Sequence, residues 1–368
     1  LWHRGNILRS LGRIDAAVRD LTRAIQLEPN NAAFHNILSL ALTKHWQESE
    51  RDRALYHAEQ AVRLGPENAR YHATFADRLR MNGNYEQAKK HVAIAIELAP
   101  ELSQSYEVLA RVHRATNDND EALTAAEKAI ELNPNSAFAF HQKGLAFYYL
   151  GQLEEAVRAL TRGIELRPSA AYMLLDRAEV YEKLEQFSKA LNDCATARRL
   201  QGIHVAGQYY RICLNALEKS ERWGDAEKML TEWISDRPTD GRTYLRRAEY
   251  YLRRENYEKA VADLTETLKI HPTWMHVAKR RAWAYFRLGQ YDQAIEDLQN
   301  AVRNNPKDLS TLTWHSLEAV ASCPDANFRE QYLQLTDEWV QLNESSSDVL
   351  GKRAQTHAAL GAVSYTHL

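Results

Sequence analysis

Four arginines are each followed by an aspartate at the same spacing, from position i to i + 16, and this is the clearest chemical pattern in the chain. The pairs are Arg4 with Asp20, Arg177 with Asp193, Arg247 with Asp263, and Arg281 with Asp297. Arg247 lies on an apolar stripe beside Ala248, a helical turn before Tyr251. A buried guanidinium group needs a partner, and its planar fork can engage a carboxylate through two hydrogen bonds. The spacing therefore predicts four structural ion pairs rather than arginines that hold a ligand.

The other reactive side chains predict no catalytic, cofactor or metal site. Cys194, Cys213 and Cys323 are widely spaced and form neither a disulfide framework nor a zinc motif. The fourteen histidines are scattered, and a structural role suits them better than metal binding. The sequence also lacks the glycine-rich phosphate loops, the zinc-protease motif and the serine-hydrolase elbow. We therefore expect a non-catalytic chain without a cofactor.

The composition is that of an ordinary soluble protein. The 368 residues are 45% hydrophobic and 26% charged, with a formal net charge of −2. A near-neutral balance gives no reason to expect nucleic acid or an anionic membrane as a partner. We expect no membrane span either, because no apolar run is long enough to cross a bilayer.

Regularly spaced prolines divide the chain into units. They are Pro29, Pro66, Pro100, Pro134, Pro168, Pro238, Pro272 and Pro306. Five of the successive intervals have the same length, 34 residues. When each proline is counted as position 32, position 20 is alanine in all nine units and position 8 is small in eight, with Leu214 as the exception. Small residues let two helices approach closely, and larger apolar residues between them fill the space. The pattern predicts two amphipathic helices per unit, joined by a turn and ended by proline.

This pattern resembles that of the tetratricopeptide repeat family, in a bacterial form. Residues 103–136 carry it well, with Tyr106, Leu109, Ala110, Ala122 and Pro134 in the family's positions. The resemblance implies an all-α fold, a right-handed α-solenoid of stacked antiparallel helix pairs with a period of about 34 residues. In this register each of the four arginines is position 7 and each of the four aspartates is position 23, on facing helices of one unit.

Departures from the pattern suggest a domain organisation. We expect six repeats in residues 1–204, three in 205–308, a divergent helix pair in 309–345 and the start of a further unit in 346–362. The seventh repeat places Leu214 and Trp233 where small residues are usual, so regular stacking should loosen between residues 198 and 240. Residues 363–368 resemble a translated sequencing adapter and are left out of the fold. A chain without an initiator methionine can lack an N-terminal signal, so the compartment stays open, with the cytoplasm favoured.

The resemblance also implies a binding groove, lined by positions 2, 5, 9, 12 and 13 of the first helices. Together with position 6, these positions give the following candidate partner-binding residues: Phe138, Leu145, Tyr148, Arg211, Asn215, Arg242, Arg246, Lys279, Arg280 and Trp283. The family's carboxylate clamp for chaperone tails is absent, since Arg246 and His276 stand where that clamp has asparagine and lysine. What remains is a cationic and aromatic run that favours an acidic peptide with apolar residues.

Two functions remain open at this point. The first is a protein-interaction scaffold that binds a peptide or partner segment in the groove. The second is a substrate-selecting region of a larger bacterial signalling enzyme, a kinase or a glycosyltransferase, whose catalytic domain lies outside residues 1–368. The flanking DNA discriminates between them.

Overall fold

The computed structural model describes residues 1–42, 48–201, 207–304, 320, 323–342 and 347–359. These residues are helical apart from short turns, and no strand occurs among them. The chain divides into two compact units, Leu1–Ser220 and Glu221–Leu368, and the division falls within the seventh repeat, between its first and second helices.

The helices of the first unit alternate between first and second helices of successive repeats. They are α1 Trp2–Ser10, α2 Ile14–Leu27, α3 Ala32–Leu42, α4 Glu48–Leu64, α5 Ala69–Met81, α6 Tyr85–Leu98, α7 Ser103–Ala115, α8 Asn119–Leu132, α9 Ala137–Tyr149, α10 Leu153–Leu166, α11 Ala171–Lys183, α12 Phe187–Gln201 and α13 Gly207–Lys219. From α1 to α12, each first helix packs most extensively on the second helix of its own repeat, and each second helix packs on the next first helix. This order of contacts is that of an α-solenoid, in which each repeat packs on its neighbours.

The second unit continues the alternation. Its helices are α14 Trp223–Asp236, α15 Gly241–Arg253, α16 Tyr257–Ile270, α17 Met275–Arg287, α18 Tyr291–Asn304, α19 Ala326–Gln341 and α20 Ser347–Ala359. The side chain of Asp325 caps α19 by accepting from the backbone N–H of Phe328 at 2.7 Å. Residues 309–319 of the expected divergent helix pair and the adapter-like tail at 363–368 lie outside the described residues.

The predicted small residues lie where two helices meet. The alanine at position 20 is at most 1% exposed in all nine repeats. Glycine at position 8 allows the closest approach, because a Cβ on Gly144 would lie 2.6 Å from Cγ of Leu160. The large side chains at position 24, such as Leu160 and Leu264, are fully buried beside these small residues. Close packing of small against large residues therefore fixes each helix pair.

The turn inside each described repeat contains one residue in the left-handed conformation. It is position 15, with φ of +77° at Gly83 and Gly151 and +72° at Gly289. Asn117, Glu185, Glu221 and Glu255 occupy the same position in other repeats, with φ between 55° and 62°. Glycine reaches this region without strain, whereas a glutamate has a steric cost there.

Candidate functional site

The four arginine–aspartate pairs lie within hydrogen-bond distance. Arg247 donates from Nε and Nη2 to the two carboxylate oxygens of Asp263, each at 2.8 Å. The other three pairs have the same two-bond geometry, with distances of 2.6–2.8 Å. Asp263 is only 4% exposed, so its negative charge is compensated by the arginine rather than by water.

The position 7 arginine also reaches the preceding repeat, a contact that the sequence interpretation missed. Nη1 donates to the hydroxyl of a threonine at position 25 of that repeat. The distances are 2.9 Å for Arg177 to Thr161, 3.2 Å for Arg247 to Thr231 and 3.0 Å for Arg281 to Thr265. One guanidinium group thus joins the second helices of two successive repeats. The signal was available, because threonine, arginine and aspartate recur at equal spacings along the chain.

Two repeats have a histidine pair that includes position 23, the position of the aspartate in the four ion pairs. His57 and His91, at position 23, lie 2.9 and 3.0 Å from His35 and His72, measured between Nδ1 atoms. Nε2 of His35 lies 3.0 Å from the carbonyl oxygen of Pro29 and must donate to it. Nδ1 of His35 is then the acceptor, and His57 donates from its own Nδ1. Burial, together with His35 and Arg53, lowers the pKa of His57 to about 4. The ring of His57 is therefore neutral near pH 7.

The first helices of the first unit form a continuous surface. From α5 to α13, successive first helices contact one another, and no second helix in the described part of this unit packs on the next second helix to a similar degree. The first helices therefore form the more closely spaced layer. We call the surface made by positions 2, 5, 9, 12 and 13 of the first helices, together with the adjoining position 6, the first-helix face.

Aromatic side chains of α9 form a patch on the first-helix face. Phe138, Leu145 and Tyr148 are partly exposed, and Tyr149 is 54% exposed. The guanidinium carbon of Arg111 lies 4.9 Å from the centre of the Phe138 ring. Partial burial raises the pKa of Tyr148 to about 12, and the nearby carboxylate of Glu179 adds to this effect. We call Phe138, Leu145, Tyr148 and Tyr149 the aromatic patch.

Carboxylates of α11 follow the aromatic patch on the same face. Asp176 accepts a 2.6 Å hydrogen bond from Nε2 of His141 on α9. Glu179 pairs with Arg211 at 2.9 Å, and Glu182 accepts from Asn215 at 3.4 Å. The predicted partner-binding residues Arg211 and Asn215 therefore lie on the first-helix face, where acidic side chains of the preceding repeat already contact them.

An arginine cluster on α5 and α7 is a second feature that the sequence interpretation missed. Asp77 lies 2.8 Å from Arg111, 3.0 Å from Arg80 and 3.3 Å from Arg78. Burial opposes the ionisation of Asp77, but the guanidinium groups of Arg111, Arg78 and Arg80 outweigh it and hold its pKa well below the usual range. Burial lowers the pKa of Arg78 to about 10 despite the attraction of Asp77, with repulsion from Arg111 and Arg80 adding to the decrease. Asp77, Arg80 and Arg111 are positions 9, 12 and 9 of their repeats, so this cluster also belongs to the first-helix face.

In the second unit, the predicted cationic residues lie beside acidic residues of their own face. Arg246 and Arg280 both approach Glu249, each at 3.5 Å. Arg242 makes two hydrogen bonds to Asp240, the residue that caps its own helix, at 2.9 and 3.0 Å. The structure thus brings Arg246 and Arg280 together through Glu249, while Arg242 interacts locally.

Aromatic rings accompany these cations on α17. The rings of Trp283 and Phe286 are stacked with centres 5.6 Å apart. The guanidinium carbon of Arg287 lies 4.8 Å from the Tyr257 ring and 5.6 Å from the Trp283 ring. Lys279 is half-buried and lies one helical turn before Trp283. Cationic and aromatic side chains are therefore interleaved on this face as well.

Neither a metal-binding cluster nor a membrane-spanning helix occurs among the described residues. No group of three or more histidine, cysteine, aspartate or glutamate side chains there is placed to hold a metal ion. Of the helices given above, none has both the length and the apolar composition that crossing a membrane requires.

Solved structures of repeat proteins resemble the chain in fold. The APC/C hetero-tetramer Cut9-Hcn1 is 14% identical, with a TM-score of 0.52, and the match covers 81% of this chain and 57% of that one. The human IFIT1 dimer with m7Gppp-AAAA is 16% identical, with a TM-score of 0.50 and coverage of 79% and 67%. A thermophilic TPR protein of Thermus thermophilus, TTC0263, is 20% identical over 51% of this chain and 100% of its own, with a TM-score of 0.46. At these identities the likeness is one of fold alone.

Sequence profiles of known protein families together match more than half of the chain. Those named Tetratricopeptide repeat match residues 74–137, 125–158, 214–273 and 278–308. The one named TPR repeat matches residues 5–45 and 144–185. A comparison with curated proteins gives no match. The helix-pair fold, the regular proline period and these matches agree, and the chain belongs to the tetratricopeptide repeat family.

Proposed function

We propose that the chain is a non-catalytic protein-interaction scaffold that binds an extended peptide segment of a partner protein on its first-helix faces. The observation that carries this proposal is the aromatic patch of α9, where Tyr149 is 54% exposed beside Phe138, Leu145 and Tyr148. Rigid aromatic rings offer a large apolar contact area at a low entropic cost, which suits them to anchor a partner's side chains.

A second subsite of the same function lies on the first-helix face of the second unit. Arg242, Arg246, Lys279 and Arg280, with the stacked ring of Trp283, suit a segment that carries both carboxylates and apolar side chains. Glu249 and Asp240 already accompany three of these cations. An acidic peptide must compete with them, so we expect a modest preference for acidic residues that weakens with salt.

A pair of tyrosines tests the role of the aromatic patch. Tyr149, on the first helix α9, and Tyr56, on the second helix α4, are each 54% exposed. We expect Tyr149→Ser to lose most of the binding in a peptide-array screen and Tyr56→Ser to bind as the unmodified protein does. Equal loss in both variants, or no binding by the unmodified chain, would contradict the proposal for the first unit.

A charge reversal tests the second subsite. We expect Arg246→Glu with Lys279→Glu to abolish any preference for acidic peptides on the array. The matched control is Lys228→Glu with Lys269→Glu, which makes the same change in net charge on the second helices α14 and α16. Equal binding of acidic peptides by both double variants, or no acidic preference in the unmodified chain, would overturn this assignment.

A further inference from the structure

The arginine cluster on α5 and α7 carries more positive charge than its own acids neutralise. Arg78, Arg80 and Arg111 share the single carboxylate of Asp77. Glu107, one helical turn before Arg111, is a second acid close enough to affect the pKa of Arg111. Its carboxylate accepts a 2.5 Å hydrogen bond from the hydroxyl of Ser136, and burial raises its pKa. Even with Glu107 ionised, the three arginines retain a net positive charge.

Several hydrogen-bond donors in the same place have no protein acceptor. The buried Nε atoms of Arg78, Arg111 and Arg114 make no hydrogen bond within the described structure. Arg114 is position 12 of its repeat, one turn after Arg111, and its guanidinium carbon lies 5.8 Å from the ring of Tyr149. Buried donors without acceptors are uncommon in folded proteins because each one costs free energy. A site with surplus guanidinium charge and unsatisfied donors is suited to an anion.

The cluster opens on the first-helix face. The side chains of Arg80 and Arg111 are 19% and 20% exposed, whereas that of Asp77 is 7% exposed. Arg111 stacks on the ring of Phe138, and Arg114, one helical turn later, stacks on the ring of Tyr149. An anionic group on the exposed side of these guanidinium groups would therefore sit next to the aromatic patch.

We propose that Arg80, Arg111 and Arg114 form a subsite for a carboxylate side chain of the same peptide whose apolar residue packs on the aromatic patch. This inference rests on the proposed function of that patch. Arginine suits the role because its planar guanidinium group can donate two parallel hydrogen bonds to one carboxylate. Asp77 positions the cluster, because its bonds to Arg80 and Arg111 hold both guanidinium groups at the face.

The charge pattern of the face favours a peptide over single-stranded nucleic acid. Aromatic rings beside arginines can also stack bases, but a phosphodiester backbone requires a cationic track along its length. Here the cations of α5 and α7 are followed, after the aromatic helix α9, by Asp176, Glu179 and Glu182 on α11. Those carboxylates interrupt the cationic track that a phosphate chain needs, whereas a peptide needs negative charge at one point only.

The spacing of the helices sets the spacing of residues in the peptide. Neighbouring packed helices lie roughly 10 Å apart. A peptide in the polyproline II conformation advances about 3.1 Å per residue and points every third side chain in the same direction. A peptide that crosses from α7 to α9 should therefore carry its acidic residue about three positions from its apolar residue.

A comparison of two peptides on the unmodified protein tests the subsite without any variant. The probes are fluorescein-labelled Gly/Ser dodecapeptides with tryptophan at one position and glutamate or glutamine three positions before it. We expect the glutamate peptide to bind about tenfold more tightly, as is typical of a charge-assisted pair, and this advantage to shrink at high salt. Equal affinity for the two peptides would overturn the carboxylate subsite while leaving the aromatic patch intact. No binding of either peptide would overturn both proposals.

Matched double variants then locate the effect. Arg80→Gln with Arg114→Gln should reduce the preference for the glutamate peptide over the glutamine peptide to less than twofold. Arg158→Gln with Arg162→Gln removes two arginines from the second helix α10 of the same unit and should leave the tenfold preference intact. Circular dichroism checks that each variant is folded, and Arg114→Gln alone serves if the double variant is not.

Three results would overturn the assignment at this stage. The first is an undiminished glutamate preference in a folded Arg80→Gln, Arg114→Gln variant. The second is displacement of the glutamate peptide by a twelve-residue polyuridylate at equal concentration, which would assign the cluster to nucleic acid. A phosphoserine peptide that binds better than the glutamate peptide would show that a phosphate is preferred to the carboxylate proposed here.

Discussion

At the scale of single residues, the position 7 arginine contributes differently in different repeats because its exposure differs. The side chain of Arg4 is 68% exposed, whereas those of Arg247 and Arg281 are each 20% exposed. An ion pair in water contributes little to stability, but removing one partner of a buried pair leaves a charge without compensation. The same two-bond geometry therefore contributes different amounts to the free energy of unfolding in different repeats.

Replacing Arg247 should test this inequality. We expect Arg247→Leu to lower the free energy of unfolding by about 3 kcal/mol, because Asp263 would remain buried and unpaired. Arg4→Leu should have a smaller effect, since the Arg4 side chain is 68% exposed and its removal would open the carboxylate of Asp20 to water. Urea denaturation of both variants measures the difference, and equal destabilisation would contradict the argument from burial.

The position 25 threonines allow a milder test of the link between repeats. Thr265→Val removes one hydrogen bond to Arg281 while keeping the side-chain shape, so we expect a loss of about 1 kcal/mol. Thr124→Val on α8 is the control, because the Thr124 hydroxyl donates to the backbone carbonyl of Asp120 in its own helix. A smaller loss for Thr265→Val than for Thr124→Val, by urea denaturation, would argue against the link.

The histidine pairs predict a dependence of stability on pH. His57 has an unperturbed pKa of 6.5 that the fold lowers to about 4, so the folded state favours the neutral ring. The contribution of His57 should be complete above pH 6.5 and should be lost progressively as the pH falls from there towards 4. We expect His57→Leu to reduce this loss, whereas the exposed His3→Gln should not. Denaturation midpoints at several pH values would measure the difference between the variants. Identical pH profiles for His57→Leu and His3→Gln would refute the prediction.

At the scale of elements, the turn between the two helices of a repeat is fixed by a single left-handed residue. Glycine occupies it in some repeats, and Asn117, Glu185, Glu221 and Glu255 occupy it in others. The helices around these turns are still formed, because the packing of alanines at position 20 stabilises each pair. The turns that carry glutamate are therefore points where stability can be improved.

Glu255→Gly should stabilise the second unit. Relief of the left-handed backbone is worth about 1–2 kcal/mol, and the added freedom of glycine in the unfolded chain offsets part of it. We expect a net gain of about 0.5–1 kcal/mol and a higher melting temperature. Glu258→Gly, in the exposed first turn of α16, should instead destabilise by about 1 kcal/mol. A thermal melt in which Glu255→Gly lowers the midpoint would contradict the prediction.

Some features of the helices and their contacts could be predicted from the sequence, and others could not. The helix pairs, the buried alanines and the arginine–aspartate spacings were predictable because each recurs with the repeat period. The same residue type at one position of many repeats makes such a pattern visible in the sequence. The arginine cluster around Asp77 was not predictable, because Arg78 and Arg111 stand in single repeats and break the period. Nor could the sequence show that Glu249 and Asp240 already contact the candidate arginines, since such contacts depend on rotamers rather than on spacing.

At the scale of the whole molecule, each repeat is held by its neighbours rather than by one shared core. The structure contains several separate clusters of buried side chains along the chain. Stability in such an array is approximately a sum of repeat and nearest-neighbour contributions. Damage to one repeat should therefore stay local.

Overpacking one repeat should make this locality measurable. Ala156 is fully buried between α9 and α10, so Ala156→Leu should destabilise that repeat by about 1–3 kcal/mol. We expect faster amide hydrogen exchange across residues 137–166 and adjoining helices, with residues 241–304 unchanged. Glu154→Leu, at an exposed position of α10, is the control. Uniformly faster exchange along the whole chain would show global cooperativity instead.

The equal spacing of threonine, arginine and aspartate also bears on how the array can change length during evolution. Deleting residues 248–281 would remove one full period. Asp297 would then follow Arg247 at the distance along the chain that Asp263 has now, and Thr231 would still precede Arg247 at its present distance. The guanidinium group would then find the same three acceptor oxygens in a shortened chain. Unequal recombination between neighbouring repeats, by gain or loss of one period, would thus regenerate the inter-repeat bonds at the new junction without a compensating mutation. A deletion of any other length would separate the arginine from at least one partner.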